Sequence, residues 1–296
     1  MFPTRPPSPL WLTGKEVSEA MRLATIRRPD GTTAAARLDG DELVLLPHSD
    51  VVALLTEPGW REAAASAEGE RVALAGADLG PTVRPTKVFC VGWNYRSHIE
   101  EMGRALPEYP TLFIKVPDTL TGPYDDLVVP KVSNAVDWEV ELGVVIGTPA
   151  RRVDTADAAA CIAGFTVVND ISMRDWQNRT PQFDQGKNFE ASTPVGPFLV
   201  TGDELGDAAD LEVTCRVDGE TMQRGRTCDL LFKPADIVSY VSQFTTLQPG
   251  DLIATGTPSG VGAGRDPKVF LAPGQVLETA IEGIGACRNL MVEDKE

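Results

Sequence analysis

Apolar runs rich in β-branched residues recur from Lys87 onward, in KVFCVG, LVVP, WEVELGVVIG, GFTVVND, LEVTCRV and DLIATG, each bounded by turn-forming residues. Short runs of this kind between Gly, Pro, Asn and Asp clusters read as strands. Residues 21–46 carry shorter strand-like stretches separated by Pro-Asp-Gly and Asp-Gly turns. Residues 51–74 turn alanine-rich and helical, and the Gly and Pro content from Gly76 to Pro85 marks a linker. After the linker only 155–163 and 234–247 read as helices, the second entered by Pro234. Many strands with few helices predict a β-rich α+β class rather than a regular βαβ alternation. The expected organisation is a Pro-rich, flexible leader over 1–20, a small N-terminal α+β domain over 21–80 and a larger β-rich domain over 85–292. The leader carries four prolines and lacks the apolar core of a signal peptide.

Composition narrows the function classes. The 296 residues hold 27 Lys+Arg against 43 Asp+Glu, a net charge of −16. A surface this acidic repels phosphate, which excludes nucleic acid and anionic membrane faces as expected partners. Apolar runs such as GVVIG are far too short to cross a bilayer. Five scattered cysteines form no CxxC pair and read as reduced thiols, mostly filling the core, in a cytoplasmic protein.

Residues 136–142, VDWEVEL, alternate with period two, so Asp137, Glu139 and Glu141 share one face. Such a face ordinarily lies in water. This one runs directly into Gly-Val-Val-Ile, which is apolar on both sides, so its carboxylates are expected to be half buried. Like charges in that position repel and desolvate unless a cation offsets them. Carboxylate oxygens are hard donors that suit Mg²⁺, Mn²⁺ or Ca²⁺. Asp170 ends GFTVVND and reads either as the N-cap of a helical turn in ISMRDWQN or as a third carboxylate. Arg174 and Gln177, four and seven residues on, fall toward the same helical face, an arrangement suited to an anion.

His98 and Glu101 are three apart in VGWNYRSHIEEMG, where helical spacing would let the glutamate orient the imidazole. Ser97 and Glu100 form an S-x-x-E capping pattern. His48 in LLPHSD is expected in a loop without a partner. GDLIATGTPSGVGAG runs a strand into a glycine-rich loop that lacks GK[ST] and a following helix, so neither a P-loop nor a dinucleotide fingerprint is supported. It reads equally as a plain multi-glycine turn or as a close-approach loop in which Thr257 and backbone N–H groups hold an anion.

The ordered set GWNYRSHIEEMG, LFIKVPDTLTGP, DWEVELGVVIG, GFTVVNDISMRDWQ, QGKNFEASTPVGP and GDLIATGTPSGVG is similar to the fumarylacetoacetate hydrolase family, from Lys87 to about Leu290. The resemblance implies a mixed β-sandwich roll, a homodimer and a divalent metal, usually Mg²⁺, on Glu139, Glu141 and Asp170. It further implies that His98 and Glu101 form a lid dyad that activates water, and that Lys187 reaches the substrate or metal-bound oxygen. Arg174, Gln177 and Thr257 match substrate-holding positions. Trp93 stands where many relatives carry arginine, and NRTPQFD (178–184) is the sort of loop that sets specificity. The implied activity is hydrolysis of a carbon–carbon bond in a 2,4-dioxo acid of the acylpyruvate type, yielding pyruvate and a second acid. Decarboxylation of oxaloacetate-like acids and isomerisation of hydroxydienoates use the same enolate chemistry. A catalytically silent carboxylate binder is the alternative from another class.

Overall fold

The computed structural model describes residues 20–101 and 103–295, without the side chains of His98 and Glu101. The leader expected over 1–20 thus lies, apart from Ala20, outside the described residues. An 11-stranded mixed sheet dominates. It runs from Arg71–Ala73 through Glu42–Leu45, Thr33–Asp39, Arg22–Arg27, Thr193–Thr201, Ile162–Asn169, Val140–Ile146, Leu252–Ala254 and Val88–Gly92 to the edge strand Thr111–Lys115. Leu120–Thr121 joins Thr193–Thr201 in parallel. A second sheet orders Glu220–Arg226, Glu212–Val217, Val276–Ile281, Gly285–Glu293 and Leu127–Val129.

The two sheets bury one shared core. Val140, Leu142, Val144 and Ile146 from the large sheet join Val213, Cys215, Leu277 and Ile281 from the small one. Each fully buried aliphatic side chain contributes about 1.5–3 kcal/mol through removal from water. Strand alternation turns Glu141, Gly143 and Val145 to the opposite face. There Val145, Val168, Val88 and Ala254 pack with Leu54 and Trp60 of the helices Val51–Leu55 and Trp60–Ser66. Gly143 has no room for a side chain, since a Cβ would lie 2.7 Å from Val168 Cγ2 and 2.8 Å from Thr166 Cγ2.

The expected small N-terminal domain over 21–80 is continuous with the main sheet: Arg22 pairs with Val200 and Leu23 with Leu199. Ala24, Ile26 and Leu43 also belong to the shared core. The boundary near 80–85 is where the chain leaves this extension and crosses to Val88–Gly92 near the far edge. Helical expectations were too long. Pro58 and Gly59, the latter at φ +76°, split 51–74 into two helices followed by the strand Arg71–Ala73. The stretch 155–163 is the helix Thr155–Ala158 and a 3₁₀ turn, and 234–247 shortens to Pro234–Ser242. Strand Thr193–Thr201 was not foreseen, because Pro194, Gly196 and Pro197 disguise nine buried residues as a loop.

Candidate metal centre

Antiparallel register builds the site. Val140 pairs with Asn169 and Glu141 with Val168, so Glu139 stands opposite Asp170, whose N–H donates to the Glu139 carbonyl at 2.9 Å. Glu139, Glu141, Val168 and Asp170 therefore share the face turned away from the sandwich core. One oxygen from each of Glu139, Glu141 and Asp170 lies within 4.8 Å of the others, and all three residues are buried. That span is about twice a ligand bond of 2.0–2.6 Å, so the three hard donors fit a divalent cation such as Mg²⁺, Mn²⁺ or Ca²⁺. Glu141 supports the fit: its carboxylate accepts from Gly256 N–H at 2.7 Å, and it has no ion pair among the described residues.

Three cations surround the acids. Lys187 Nζ donates to Glu139 Oε2 at 2.6 Å and to Asp170 Oδ2 at 2.7 Å. Lys115 Nζ donates to Asp170 Oδ1 at 2.7 Å. Arg174 pairs with Glu139 at 2.6 Å and with Asp137 at 2.8 Å, and donates to Gln177 Oε1 at 2.9 Å. With Asp137 counted, four carboxylates face three cations, a local charge of −1 when all are ionised; a bound divalent ion would turn it to +1 and favour an anionic ligand.

Burial, then the negative charges of Asp170 and Glu139, push the Glu141 carboxyl well above its ordinary range. Asp170 goes the other way, to about 2, because Lys115 and Lys187 outweigh its burial. Burial lowers the Lys187 ammonium, but Asp170 and Glu139 outweigh it and hold it above the ordinary lysine value.

The acidic stripe is not one strand. Val136–Asp137 pairs with Ser172–Met173, and Val140–Ile146 forms a separate strand in the large sheet. The expectation of half burial was an underestimate: Asp137 is 0 % exposed and Glu141 2 %. Asp137 is structural here, accepting from Gly262 N–H at 2.6 Å, Ala263 N–H at 2.9 Å and Arg174 Nε. Asp170 caps no helix, since the next helix starts at Arg174 with Met173 as its cap. Ser97 likewise lies inside the helix Arg96–Glu101 and bonds Asp229 through its N–H and hydroxyl, so the capping pattern with Glu100 is not used. His48 has a partner after all, Glu57 at 3.0 Å.

In the glycine-rich loop, Thr257 donates to the Val140 carbonyl at 2.9 Å and accepts from Gln223 Nε2 at 2.8 Å. Gly256, at φ +98°, lies so close to Val91 that a Cβ would stand 2.9 Å from its carbonyl oxygen. Trp93, also left-handed at φ 55°, carries the Arg104 guanidinium 4.2 Å above its ring. His98 and Glu101 lie on Arg96–Glu101, and their side chains are outside the described residues.

Lys115 was missed from sequence. Its only signal is a lone lysine ending the apolar run LFIK. It pairs in register with Val88, Val88 with Leu252, and Leu252 with Val145, which puts it on the same sheet face as Glu141. Lys187 is delivered by the short helix Asp184–Lys187, packed on Arg174–Gln177 at Gly186. A Cβ there would meet the Gln177 nitrogen at 2.4 Å and the Met173 carbonyl oxygen at 2.5 Å. Gly186→Ala is expected to lower stability by about 1–3 kcal/mol through overpacking and to displace Lys187. Urea unfolding and turnover measured together check this; wild-type values in both would contradict it.

Among the described residues, no helix is long and apolar enough to cross a membrane. The model of the fumarylacetoacetate (FAA) hydrolase C-terminal family matches residues 87–292. Oxaloacetate tautomerase FAHD2A, mitochondrial, of Homo sapiens is 47% identical over 216 residues, 72% of this chain and 69% of that protein. The 2,4-didehydro-3-deoxy-L-rhamnonate hydrolase of Sphingomonas sp. is 44% identical over 209 residues, 70% of this chain and 73% of that protein. Among solved structures, the fumarylacetoacetate hydrolase of Exiguobacterium antarcticum superposes with a TM-score of 0.82 at 31% identity, over 93% of this chain and 100% of that one. With a matching family model over most of the chain and the carboxylate triad built by the register of its central strands, the protein belongs to the fumarylacetoacetate hydrolase family.

Proposed function

We propose that this chain is a tautomerase acting on a small 2-oxo dicarboxylic acid of the oxaloacetate class, interconverting its keto and enol forms. The observation that carries the reading is the buried convergence of Glu139, Glu141 and Asp170 with the Lys187 ammonium hydrogen-bonded to two of them. Support comes from the 47% identity to a protein named as an oxaloacetate tautomerase.

A divalent ion held by Glu139, Glu141 and Asp170 would supply positive charge that stabilises an enolate. Arg174 and Lys187 add fixed positive charge beside that position, in a setting where burial strengthens every charge interaction. His98, which Glu101 three positions on would orient, takes the proton from C3 of the substrate, Lys187 Nζ holds the hydrogen bond to the 2-oxygen as its charge grows, and a proton returned to that oxygen from His98 through water completes the enol.

Cleavage of a 2,4-dioxo acid is a second reading, favoured by the His98 and Glu101 pair at helical spacing on Arg96–Glu101. There His98 takes its proton from water attacking the distal carbonyl. The relative named as a hydrolase supports it.

The test combines oxaloacetate tautomerisation, followed by enol absorbance, with pyruvate release from oxaloacetate and a panel of acylpyruvates. The expected result is Mg²⁺-dependent acceleration of tautomerisation beyond any pyruvate release. Dominant pyruvate release from an acylpyruvate supports the second reading, and inertness toward every substrate overturns both. His98→Ala is expected to lower the reaction by roughly 10²-fold or more, the size of a lost general base, with ion binding retained; unchanged turnover would remove His98 from the mechanism.

A further inference from the structure

The two lysines on Asp170 differ in what else they hold. Lys115 is fully buried, and among the described residues Asp170 is the only carboxylate it pairs with, through Oδ1 at 2.7 Å. Lys187 instead bridges two acids, Asp170 Oδ2 at 2.7 Å and Glu139 Oε2 at 2.6 Å. Glu139 and Asp170 are two of the three converging carboxylates. A divalent ion shared by that triad draws on the same acids as this ammonium, and two cations crowded onto them repel.

We propose that the Lys187 ammonium is an internal cation which a divalent ion displaces from between Glu139 and Asp170, and that Lys115 is a positioning residue that keeps Asp170 aimed at the site while Lys187 lets go. The inference rests on the ion-binding part of the function proposed above and is independent of which reaction follows. Lys115 holds the Asp170 oxygen that Lys187 does not, so the carboxylate keeps one fixed anchor through the exchange. Lys187 Nζ already lies 5.1 Å from the centroid of the Phe113 ring, and once it is released its donors become available to a substrate oxygen. One side chain thereby serves both as counter-ion of the acid cluster and as substrate contact.

The two lysines carry the same charge, so a purely electrostatic role makes removal of either one tighten divalent-ion binding. Displacement with anchoring gives opposite signs. Lys187→Met removes the competitor and is expected to bind ~10-fold or more tightly. Lys115→Met leaves Asp170 to Lys187 alone, makes displacement harder, and is expected to bind ~10-fold more weakly despite the lost charge. Calorimetric titration of chelator-stripped full-length protein with MgCl₂ and MnCl₂ reads both affinities directly.

Tighter binding in Lys115→Met overturns its positioning role. Unchanged or weaker binding in Lys187→Met overturns the displacement. Wild-type protein that binds neither ion overturns the ion-binding reading itself, and the inference with it. Lys187→Gln, which keeps a neutral donor, is the second variant should the methionine form not survive stripping, and the same tightening is expected. Melting with and without MgCl₂ gives an independent readout: the ion-induced gain should exceed wild type in the Lys187 variants and fall short of it in Lys115→Met.

Discussion

Asp170→Asn is expected to destabilise the chelator-treated protein by about 3–5 kcal/mol, the usual consequence of removing one partner from a buried ion pair. The residue is 0 % exposed, and its two oxygens separately accept from Lys115 and Lys187, both also buried. An amide keeps the shape but is neutral and offers one acceptor in place of two, so both ammoniums lose the charge of Asp170, and one of them its acceptor as well, in a site closed to water. Turnover should fall further than stability alone explains, by roughly 10³-fold or more, because charge stabilisation at the reacting centre is commonly the largest catalytic contribution. Urea unfolding in chelator measures the first effect without interference from bound ions. A useful control is Asp210→Asn, which removes the exposed partner of Arg226 and should change little, since water already screens that pair. Equal effects of the two substitutions would refute the buried-pair account.

The second large effect is a pH-dependent stabilisation by divalent ions. Glu141 sits well above its ordinary value of 4.5, so the folded chain holds that proton more firmly than the unfolded one. Without an ion, this group makes stability decline as pH rises through 4.5 toward the raised value. Asp170 acts at the acid end with the opposite sign. Its value of about 2, against an ordinary 3.8, gives stability that is present above 3.8 and lost as pH falls toward 2. Ion binding needs the Glu141 carboxylate, so it competes with the proton and strengthens as pH rises. Thermal melts from pH 5 to 9, with chelator or with excess MgCl₂, should therefore diverge, the gain being small at the acid end. At about 1,000 times Kd the ion is worth on the order of 4 kcal/mol, or roughly 5–10 °C for a chain of this size. A gain that does not change with pH would mean that Glu141 is not titrating in competition with the ion.

Much of this centre could be read without coordinates, and what could not has physical reasons. Glu139, Glu141, Asp170 and Lys187 were named because their motifs occur in family order, and the structure brings them together around one point. The period-two pattern of 136–142 correctly grouped Glu139 with Glu141. It wrongly implied one continuous strand, because alternation records which way side chains turn and not which strand pairs with which. Asp137 shows the consequence, since it shares the parity of Glu139 and Glu141 and yet serves to pin the loop at Gly262 and Ala263. The net charge of −16 likewise described the surface but not the site, where the buried Lys115 and Lys187 and the partly buried Arg174 nearly balance four acids.

The sequence by itself determined the β-rich class, the family, the triad and the lysine that follows it, because each depends on local pattern or on ordered motifs along the chain. Only the tertiary structure decided that Glu139 faces Asp170, that residues 21–80 extend the main sheet, and that Lys115 lies against the acids. Lys115 is 55 positions from Asp170, and they meet because the register of five strands turns them to one face. Strand register is a cooperative outcome of burying both sheet faces at once, so no local stretch of residues encodes it.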